Sequence, residues 1–434
     1  MGKMEVVPAN RMSMRNTLAN WLTHLESLHP KSISMGLERV ETIKQRLNLN
    51  PQFPIVVVGG TNGKGSVCAM LESIFHAAGF RVGCYTSPHL LRYNERVRVA
   101  RMEVSDEDLC AAFEDIEKVR GDIRLTYFEY GTLAAMQCFI SSKVEVAILE
   151  VGLGGRLDAV NVFDGDCVVV TNVDIDHTDY LGTTREQIAH EKAGIFRKGR
   201  VCIFADFDVP IAIAEQASKI GAELWRIGSE FSFKYDLEQW DYHSKTNRRN
   251  ALPHPALRGT YQLNNASAVL AVLDTLHAKL PVAMGAVRRG LAEVQLSGRF
   301  QLIPGKPALI MDVAHNPHAA RSLAQNLSRM PPCQKTFAVF AMLKDKDIAG
   351  VAAAMNLHVD SWLLASIGAK RGATSGELEK ILEHTRVAGE ITVHANVADA
   401  LRFAYKAAGE NDRIIAFGSF YTVADVMAAT GTRR

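Results

Sequence analysis

The chain has 434 residues, 47% hydrophobic and 22% charged, with a net charge of +2. That length exceeds what one core usually serves, so two or three domains are expected, and the near-neutral balance argues against nucleic acid as a partner. No apolar run approaches the ~20 residues of a membrane span, which argues against a membrane protein.

The seven cysteines (68, 84, 110, 138, 167, 202 and 333) never form a Cys-x-x-Cys pair. Most lie in apolar runs, so buried free thiols are expected rather than a disulfide framework or zinc site. Met1 to Arg15 lacks an apolar signal core, and a cytoplasmic location is the expectation.

In chain order, residues 16–29 carry Leu18, Trp21, Leu22 and Leu25 at helical spacing. A loop at 29–36 precedes a second helix from Leu37 to Leu47. Then Val56-Val57-Val58 runs into Gly59-Gly60-Thr61-Asn62-Gly63-Lys64-Gly65-Ser66, and Val67 to Ile74 reads as a helix. Strand, glycine-rich turn, lysine and helix start make a phosphate cradle. Glycines let backbone N–H groups approach oxygens, the helix N-terminus adds positive potential, and Lys64 adds a full charge. It is not a strict Walker sequence. Val58 stands where that pattern wants its first glycine, Gly65 follows the lysine, and the hydroxyl arrives one place late at Ser66.

Val82 to Thr86 reads as a strand ending at Ser87-Pro88-His89. Helices follow at Ser105 to Val119, with Ser105 and Asp108 resembling a capping box, and at Tyr127 to Ser141. Val144 to Leu149 is a strand running into Glu150 and Gly152-Leu153-Gly154-Gly155. Cys167 to Val173 is another, running into Asp174, Asp176 and His177. Apolar runs alternating with helices predict a parallel sheet covered on both faces, with ligands at the strands' carboxyl ends. Lys64, Ser87, Glu150 and His177 each fall at such an end or in the turn just after one.

Residues 229–262 differ, with Phe231, Phe233, Tyr235, Trp240 and Tyr242 interleaved with polar residues. A small antiparallel excursion is expected there. Helices follow from Asn264 to Leu280 and to about Leu291, and Ser297-Gly298 is the expected hinge. A second α/β unit begins at Arg299, with strands Ala308–Val313, Thr336–Met342, Ser361–Ile367, Ile391–Ala395 and Arg413–Phe417. Asp312, His315, Asn316 and Gly418-Ser419 follow strand ends. The predicted class is α/β. Residues 1–297, with the phosphate loop, would be an N-terminal P-loop nucleotide-binding domain and residues 298–434 a C-terminal α/β domain, which the resemblance given below implies is Rossmann-like.

A phosphate loop with Glu150 and His177 suggests a nucleotide with a divalent metal. Magnesium prefers oxygen ligands and keeps waters, so His177 also reads as a hydrogen-bonded strand-end residue. Lys192, in His190 to Phe196, reads on its own as a surface or salt-bridged lysine. The methionines read as core filling. His89, His243, His254 and His384 carry no assignment.

From about Trp21 to Val426 the chain resembles the bifunctional dihydrofolate synthase/folylpolyglutamate synthases of bacteria, in the Mur ligase superfamily. The motifs are Gly60 to Ser66, Thr86-Ser87-Pro88-His89-Leu90, Glu150 to Ala159, Asp176-His177-Thr178, Glu191-Lys192-Ala193-Gly194-Ile195, Ser297-Gly298-Arg299-Phe300 and Asp312 to His318. Gly59, where relatives often have Ala, and Ser32, where some have Thr, are small departures.

The resemblance implies ATP-dependent addition of L-glutamate to dihydropteroate and to tetrahydrofolate derivatives through an acyl phosphate. By the same resemblance Thr61, Asn62, Gly63, Lys64, Gly65, Ser66, Asn264, Arg299 and Asp312 would hold ATP. Ser87, Glu150 and His177 would bind magnesium, and Lys192 would be carbamylated and serve a second magnesium. His315 and Ser419 would lie near the incoming glutamate and the transferring phosphate. With Lys64, Lys192 and Asp312 they form the expected catalytic set. Pterin contacts would fall on Ser32, Ile33, Ser34 and Met35, on Thr126 and Tyr127, and on Asp158, Ala159 and Val160. A monomer is expected. A synthase limited to polyglutamate extension, a cell-wall precursor ligase and a nucleotide-binding regulator without catalysis are the competing functions. Intact Lys64, Glu150, His177, Lys192 and Asp312 argue against the regulator.

Overall fold

A computed structural model describes residues 17–29, 34–259 and 261–432. Helices α1 (Leu18–Leu28) and α2 (Glu38–Arg46) open it. Next come β1 (Ile55–Gly59), α3 (Lys64–Ala77), β2 (Val82–Tyr85), β3 (Val97–Val99), β4 (Met102–Glu103), α4 (Asp106–Arg120), α5 (Tyr127–Ser141), β5 (Val146–Glu150) and β6 (Cys167–Val170). The first sheet is completed by α6 (Thr178–Leu181), α7 (Arg185–Ala193), β7 (Val201–Phe204), α8 (Ile211–Ile220) and β8 (Glu223–Arg226).

Its strand order is β4-β3-β2-β5-β1-β6-β7-β8, parallel from β2 to β8, with β3 and β4 joined antiparallel at one edge. Strands β1, β5 and β6 are buried at every residue, which is why they read as unbroken apolar runs. Alternate residues feed two cores. Val57, Leu149 and Val168 face one core, with α4 and α5; Val56, Val58, Ile148 and Val169 face the other, with α3 and α9 (Gln262–Thr275).

The excursion is a three-stranded antiparallel sheet, β9 (Phe231–Tyr235), β10 (Gln239–Ser244) and β11 (Arg248–Pro253), in the order β11-β10-β9. It is tied to α9 by the buried Arg249–Asp274 pair at 2.7 Å, and Tyr242 and Ser244 hydroxyls donate to the same carboxylate. α10 (Met284–Glu293) follows.

The remaining elements are β12 (Gln301–Ile303), β13 (Ala308–Asp312), α11 (Pro317–Ser328), β14 (Thr336–Phe340), α12 (Ile348–Met355), β15 (Ser361–Ala365), α13 (Ser375–Thr385), β16 (Glu390–His394), α14 (Val397–Ala407), β17 (Arg413–Phe417) and α15 (Phe420–Thr430). Their sheet has the order β12-β13-β17-β14-β15-β16 and is parallel except for β12. All seven cysteines are free, and no helix among the described residues is long and apolar enough to cross a membrane.

Several expectations are corrected. The strand expected over 167–173 stops at Val170, because Thr171 and Asn172 turn inward to brace the phosphate loop. α9 starts at Gln262 and ends at Thr275, rather than spanning Asn264 to Leu280. Ser105 accepts from the Asp108 N–H at 3.0 Å and donates to its carboxylate at 2.9 Å, so it caps α4 without the reciprocal bond of a capping box. The full box lies at Thr126 and Glu129, opening α5. The stretch from α6 to β8 has a faint pattern, since α7 buries only Ile188, Ala189, Lys192 and Ala193.

Gly298 joins the two larger units at φ +69°, where a Cβ would sit 3.0 Å from Val313 Cγ1 and 3.1 Å from Val423 Cγ1. A left-handed non-glycine residue costs about 1–2 kcal/mol before any clash. Gly298→Ala is therefore expected to lower the melting temperature by a few degrees. A parental melting temperature would show that the junction relaxes without strain.

Candidate active site

The carboxyl ends of the first sheet and of the third face each other across a cleft of about 420 Å³. The phosphate loop forms its floor. Gly60 stands at φ +136°, and any Cβ there would lie 1.8 Å from Thr171 Oγ1, so only glycine fits. Gly63, at φ +86°, starts α3 without a side-chain cap, and no acidic residue occupies the first turn. The loop is braced from behind. Asn172 accepts from the Asn62 N–H and donates to Asn62 O, both at 3.0 Å, and Thr171 Oγ1 donates to Asn62 O at 2.6 Å. Lys64 Nζ donates to Gly60 O at 3.0 Å and Thr61 O at 3.1 Å. Burial lowers its pKa, while Glu150 and Asp176 pull the other way.

Ser87 and Glu150 meet at the ends of adjacent strands, where the Ser87 N–H donates to Glu150 Oε2 at 3.1 Å. The other oxygen lies 4.0 Å from where a Cβ on Gly65 would stand, on the phosphate-loop side. Burial raises the Glu150 pKa, against Lys64. His177 lies left-handed at φ +53° beyond the end of β6, with β1 between it and β5. Burial holds its pKa down at about 4 against the pull of Asp176, so the imidazole is neutral. Its Nε2 accepts from Lys346 Nζ at 3.3 Å.

Ser87, Glu150 and His177 bring one hydroxyl, one carboxylate and one neutral imidazole to the first wall of the cleft, and no cluster of three His, Cys, Asp or Glu side chains able to cage a metal occurs among the described residues. That donor set fits a hard cation that keeps waters and shares phosphate oxygens.

Lys192 is buried at 4% exposure. The Gly155 backbone lets α7 approach: a Cβ there would stand 2.9 Å from both Glu191 O and Lys192 O. Burial, then the Lys64 charge, lowers the Lys192 pKa to about 7. No ion pair to it forms among the described residues.

The third sheet supplies the opposite wall. Arg299 Nη2 reaches to 3.7 Å from the Cβ position of Gly65, and its guanidinium lies 5.0 Å from the Phe420 ring centre. Asp312 accepts from the N–H groups of Phe300 (2.7 Å) and Ala314 (2.8 Å). Ser419 caps α15 by accepting from the Tyr421 N–H at 3.1 Å. His315 Nδ1 donates to Val313 O at 2.8 Å, which leaves the lone pair on Nε2, 3.7 Å from Asp176 Oδ2. Burial, then Lys346, takes its pKa down to about 4.

Asp176 is the hub between the walls. Lys346 Nζ bonds to Oδ1 at 2.6 Å and Asn316 Nδ2 donates to Oδ2 at 3.1 Å. Burial alone would raise its pKa, but His177, Lys346 and His315 together press it well below the usual carboxylate range.

The cleft thus gathers Thr61, Asn62, Gly63, Lys64, Gly65, Ser66, Ser87, Glu150, His177, Lys192, Arg299, Asp312, His315 and Ser419. Asn264 is not part of its lining. Its neighbour Asn265 is, with a side chain that would meet a Cβ on Gly63 at 2.8 Å. Lys346, Asp176, Tyr261 and His318 also line it and carried no sequence assignment. His318 accepts from Asn62 Nδ2 at 2.9 Å and stands 5.3 Å from the Tyr261 ring.

The expected pterin residues fall outside this lining. Ser32 and Ile33 lie outside the described residues. Ser34 O accepts from Arg39 Nη2 at 2.9 Å, and Arg39 pairs with Glu129, whose carboxylate takes the Thr126 N–H. Tyr127 stacks edge-on against Tyr93 under Arg96. Met35 Cε lies 3.8 Å from the Cβ position of Gly154, which does line the cleft. Asp158 caps the turn holding Ala159 and Val160, and burial pushes its carboxyl up to about 7.

Two family models match the chain. The Mur ligase middle domain covers residues 58–273, and the Mur ligase glutamate ligase domain covers residues 298–420. A dihydrofolate synthase/folylpolyglutamate synthase of Escherichia coli (strain K12) is 45% identical over 418 residues, 96% of each chain. A solved E. coli FolC in complex with DHPP and ADP superposes with a TM-score of 0.90 at 44% identity, covering 96% of this chain and 98% of that one. A bifunctional folylpolyglutamate synthase/dihydrofolate synthase with Mn, AMPPNP and L-glutamate bound gives 0.88 at 45% identity, with 96% and 98% covered.

Proposed function

The chain belongs to the dihydrofolate synthase/folylpolyglutamate synthase family of Mur ligases, and from that premise we propose that it joins L-glutamate to dihydropteroate and to reduced folates at the expense of ATP. The observation that carries this reading is the two-walled cleft, with a phosphate loop on one wall and Arg299, Asp312 and His315 on the other.

A carboxylate is a poor electrophile. The pterin carboxylate attacks the γ-phosphorus of ATP, ADP leaves, and an acyl phosphate forms. The glutamate nitrogen then attacks the acyl carbon, phosphate leaves with the bonding pair, and the nitrogen loses its proton to give the amide. Both reactants are anionic, so the chain's task is charge neutralisation and alignment. Thr61 to Ser66, Asn265 and Arg299 would cradle the phosphates, and Asp312 would complete the ATP site from the second wall. Ser87, Glu150 and His177 would hold a divalent cation, which neutralises phosphate charge. A second magnesium would use a carbamate on Lys192. Asp176 Oδ2 and the Nε2 lone pair of His315 together offer an acceptor pair for the amine of glutamate. Ser419 stands at the opposite wall for the transferring phosphate. Ser34, Met35, Thr126, Tyr127 and Asp158 to Val160 would shape the pterin side.

Residues 1–297 and 298–434 act as two domains that close about Ser297-Gly298 when ligands bind. Small-angle scattering with and without nucleotide, pterin and glutamate tests the closure; an unchanged pair-distance profile would count against it. The chain works as a monomer in this reading, since both walls come from one polypeptide. Glutamate-dependent ADP formation with dihydropteroate, tetrahydrofolate and a UDP-muramyl peptide tests the activity. Turnover only with the muramyl peptide, or with none of the three, would overturn the assignment.

Glu150→Gln is expected to fold normally and to need more magnesium for half-maximal rate. The amide oxygen can still accept the Ser87 N–H, so geometry survives while one charge is lost. An unchanged magnesium dependence would make Glu150 structural.

A further inference from the structure

Behind the Ser87 loop lies a buried ion pair that the mechanism above does not use. Glu72 on α3 and Arg98 on β3 are each 8% exposed at the side chain. Arg98 Nε and Nη2 both donate to the Glu72 carboxylate, at 3.0 and 2.8 Å. The remaining donors go elsewhere. Nη1 donates to Glu95 O at 2.7 Å and Thr86 Oγ1 at 3.2 Å, and Nη2 also approaches Cys84 Sγ at 3.3 Å.

These partners surround one loop. Thr86 immediately precedes Ser87. The Glu95 carboxylate accepts the backbone N–H groups of Leu90, Leu91 and Arg92 at 2.8–2.9 Å. Ser87 itself is tied to Glu150. Glu72 rides on the helix that begins with Lys64. A single guanidinium therefore joins the phosphate-loop helix to both ends of the segment that carries Ser87. Its charge is paired with Glu72, and what remains of its field makes only a small contribution at Glu150, behind burial, Lys64 and the Ser87 N–H. A buried pair is also a poor source of stability compared with apolar side chains of similar size.

We propose that Arg98 is a positioning residue that fixes Ser87 at one separation from the phosphate loop, so that a divalent cation shared with the nucleotide finds its ligands preset. The proposal rests on Ser87 being a cation ligand.

The test compares Ser87→Ala, Arg98→Lys and the double variant Glu72→Leu/Arg98→Met with the parent. Thermal melting establishes that each is folded. Free Mn2+ is titrated by electron paramagnetic resonance in the presence of AMPPNP, and amide exchange is followed at Leu90 to Arg92. Groups that orient metal ligands typically matter about 10- to 100-fold in affinity. The double variant is expected to bind Mn2+ at least about tenfold more weakly, to exchange faster at Leu90 to Arg92, and to keep the parental KM for dihydropteroate. Arg98→Lys, which can reach Glu72 but cannot span Thr86 and the Glu95 carbonyl as well, is expected to weaken Mn2+ binding by a smaller factor. Should the double variant not fold, Arg98→Lys carries the same comparison. Parental Mn2+ binding in a folded variant of the pair, with Ser87→Ala weakened, overturns the role of Arg98 alone. Parental binding in Ser87→Ala overturns the cation-ligand reading and the proposal with it.

Discussion

Lys64→Ala is expected to lose ligation by about two to three orders of magnitude while melting close to the parent. One charged contact made in the transition state is worth about 3–4 kcal/mol, and Lys64 is the cation on the floor of the cleft. Its ammonium donates to two loop carbonyls, Gly60 O and Thr61 O. The loop stays braced by Thr171 and Asn172 when the side chain is cut, so its fold loses little. Burial already disfavours the Lys64 charge, so its removal also relieves a desolvation cost. The gain appears only when phosphate charge enters and the ammonium swings to it. Glutamate-dependent ADP formation and a melting curve on the same preparation check the prediction. A folded variant turning over near the parental rate would remove Lys64 from the phosphate chemistry.

The first wall of this site was legible in the sequence for a physical reason. Strands buried on both faces must be apolar throughout, so Glu150 after Val146-Ala147-Ile148-Leu149, and the glycines after Val56-Val57-Val58, stand out where the chain leaves the sheet. The second wall was carried by resemblance, because nothing in Arg299 or Asp312 says that it crosses to Gly65. Asn264 also came by resemblance, while in the fold Asn265 lines the cleft. α9 is buried almost all round from Leu263 to Leu273, so its periodicity does not reveal which asparagine faces the phosphate loop. Lys346 sits in Lys344-Asp345-Lys346-Asp347, which reads as a solvated charge run, yet its ammonium is nearly buried against Asp176 across the cleft. Thr171 and Asn172 sit inside the expected strand that runs on to Val173, while in the fold they brace the phosphate loop.

Lys192→Arg is expected to be as inactive as Lys192→Ala. In sequence Lys192 is one of 49 basic side chains. In the fold it is buried and without an ion-pair partner among the described residues. Burial, reinforced by the Lys64 charge, brings its pKa to about 7. That matters for the carbamate reading, because carbon dioxide reacts with the neutral amine, which an ordinary lysine offers only rarely at neutral pH. The sign of the pH effect follows: below about pH 7 the proton occupies the lone pair that carbon dioxide needs, so ligation should fall as pH drops and be partly restored by added bicarbonate. A carbamate also changes a cation into an anionic oxygen ligand, which inverts the electrostatics that a second magnesium would meet. Arginine keeps the charge and cannot make that ligand, whereas acetate could occupy the space vacated in the alanine variant and recover part of the rate. The deciding comparison is Lys192→Arg against the parent under bicarbonate. If the arginine variant ligates at the parental rate, a positive charge suffices at this position and the carbamate proposal is wrong.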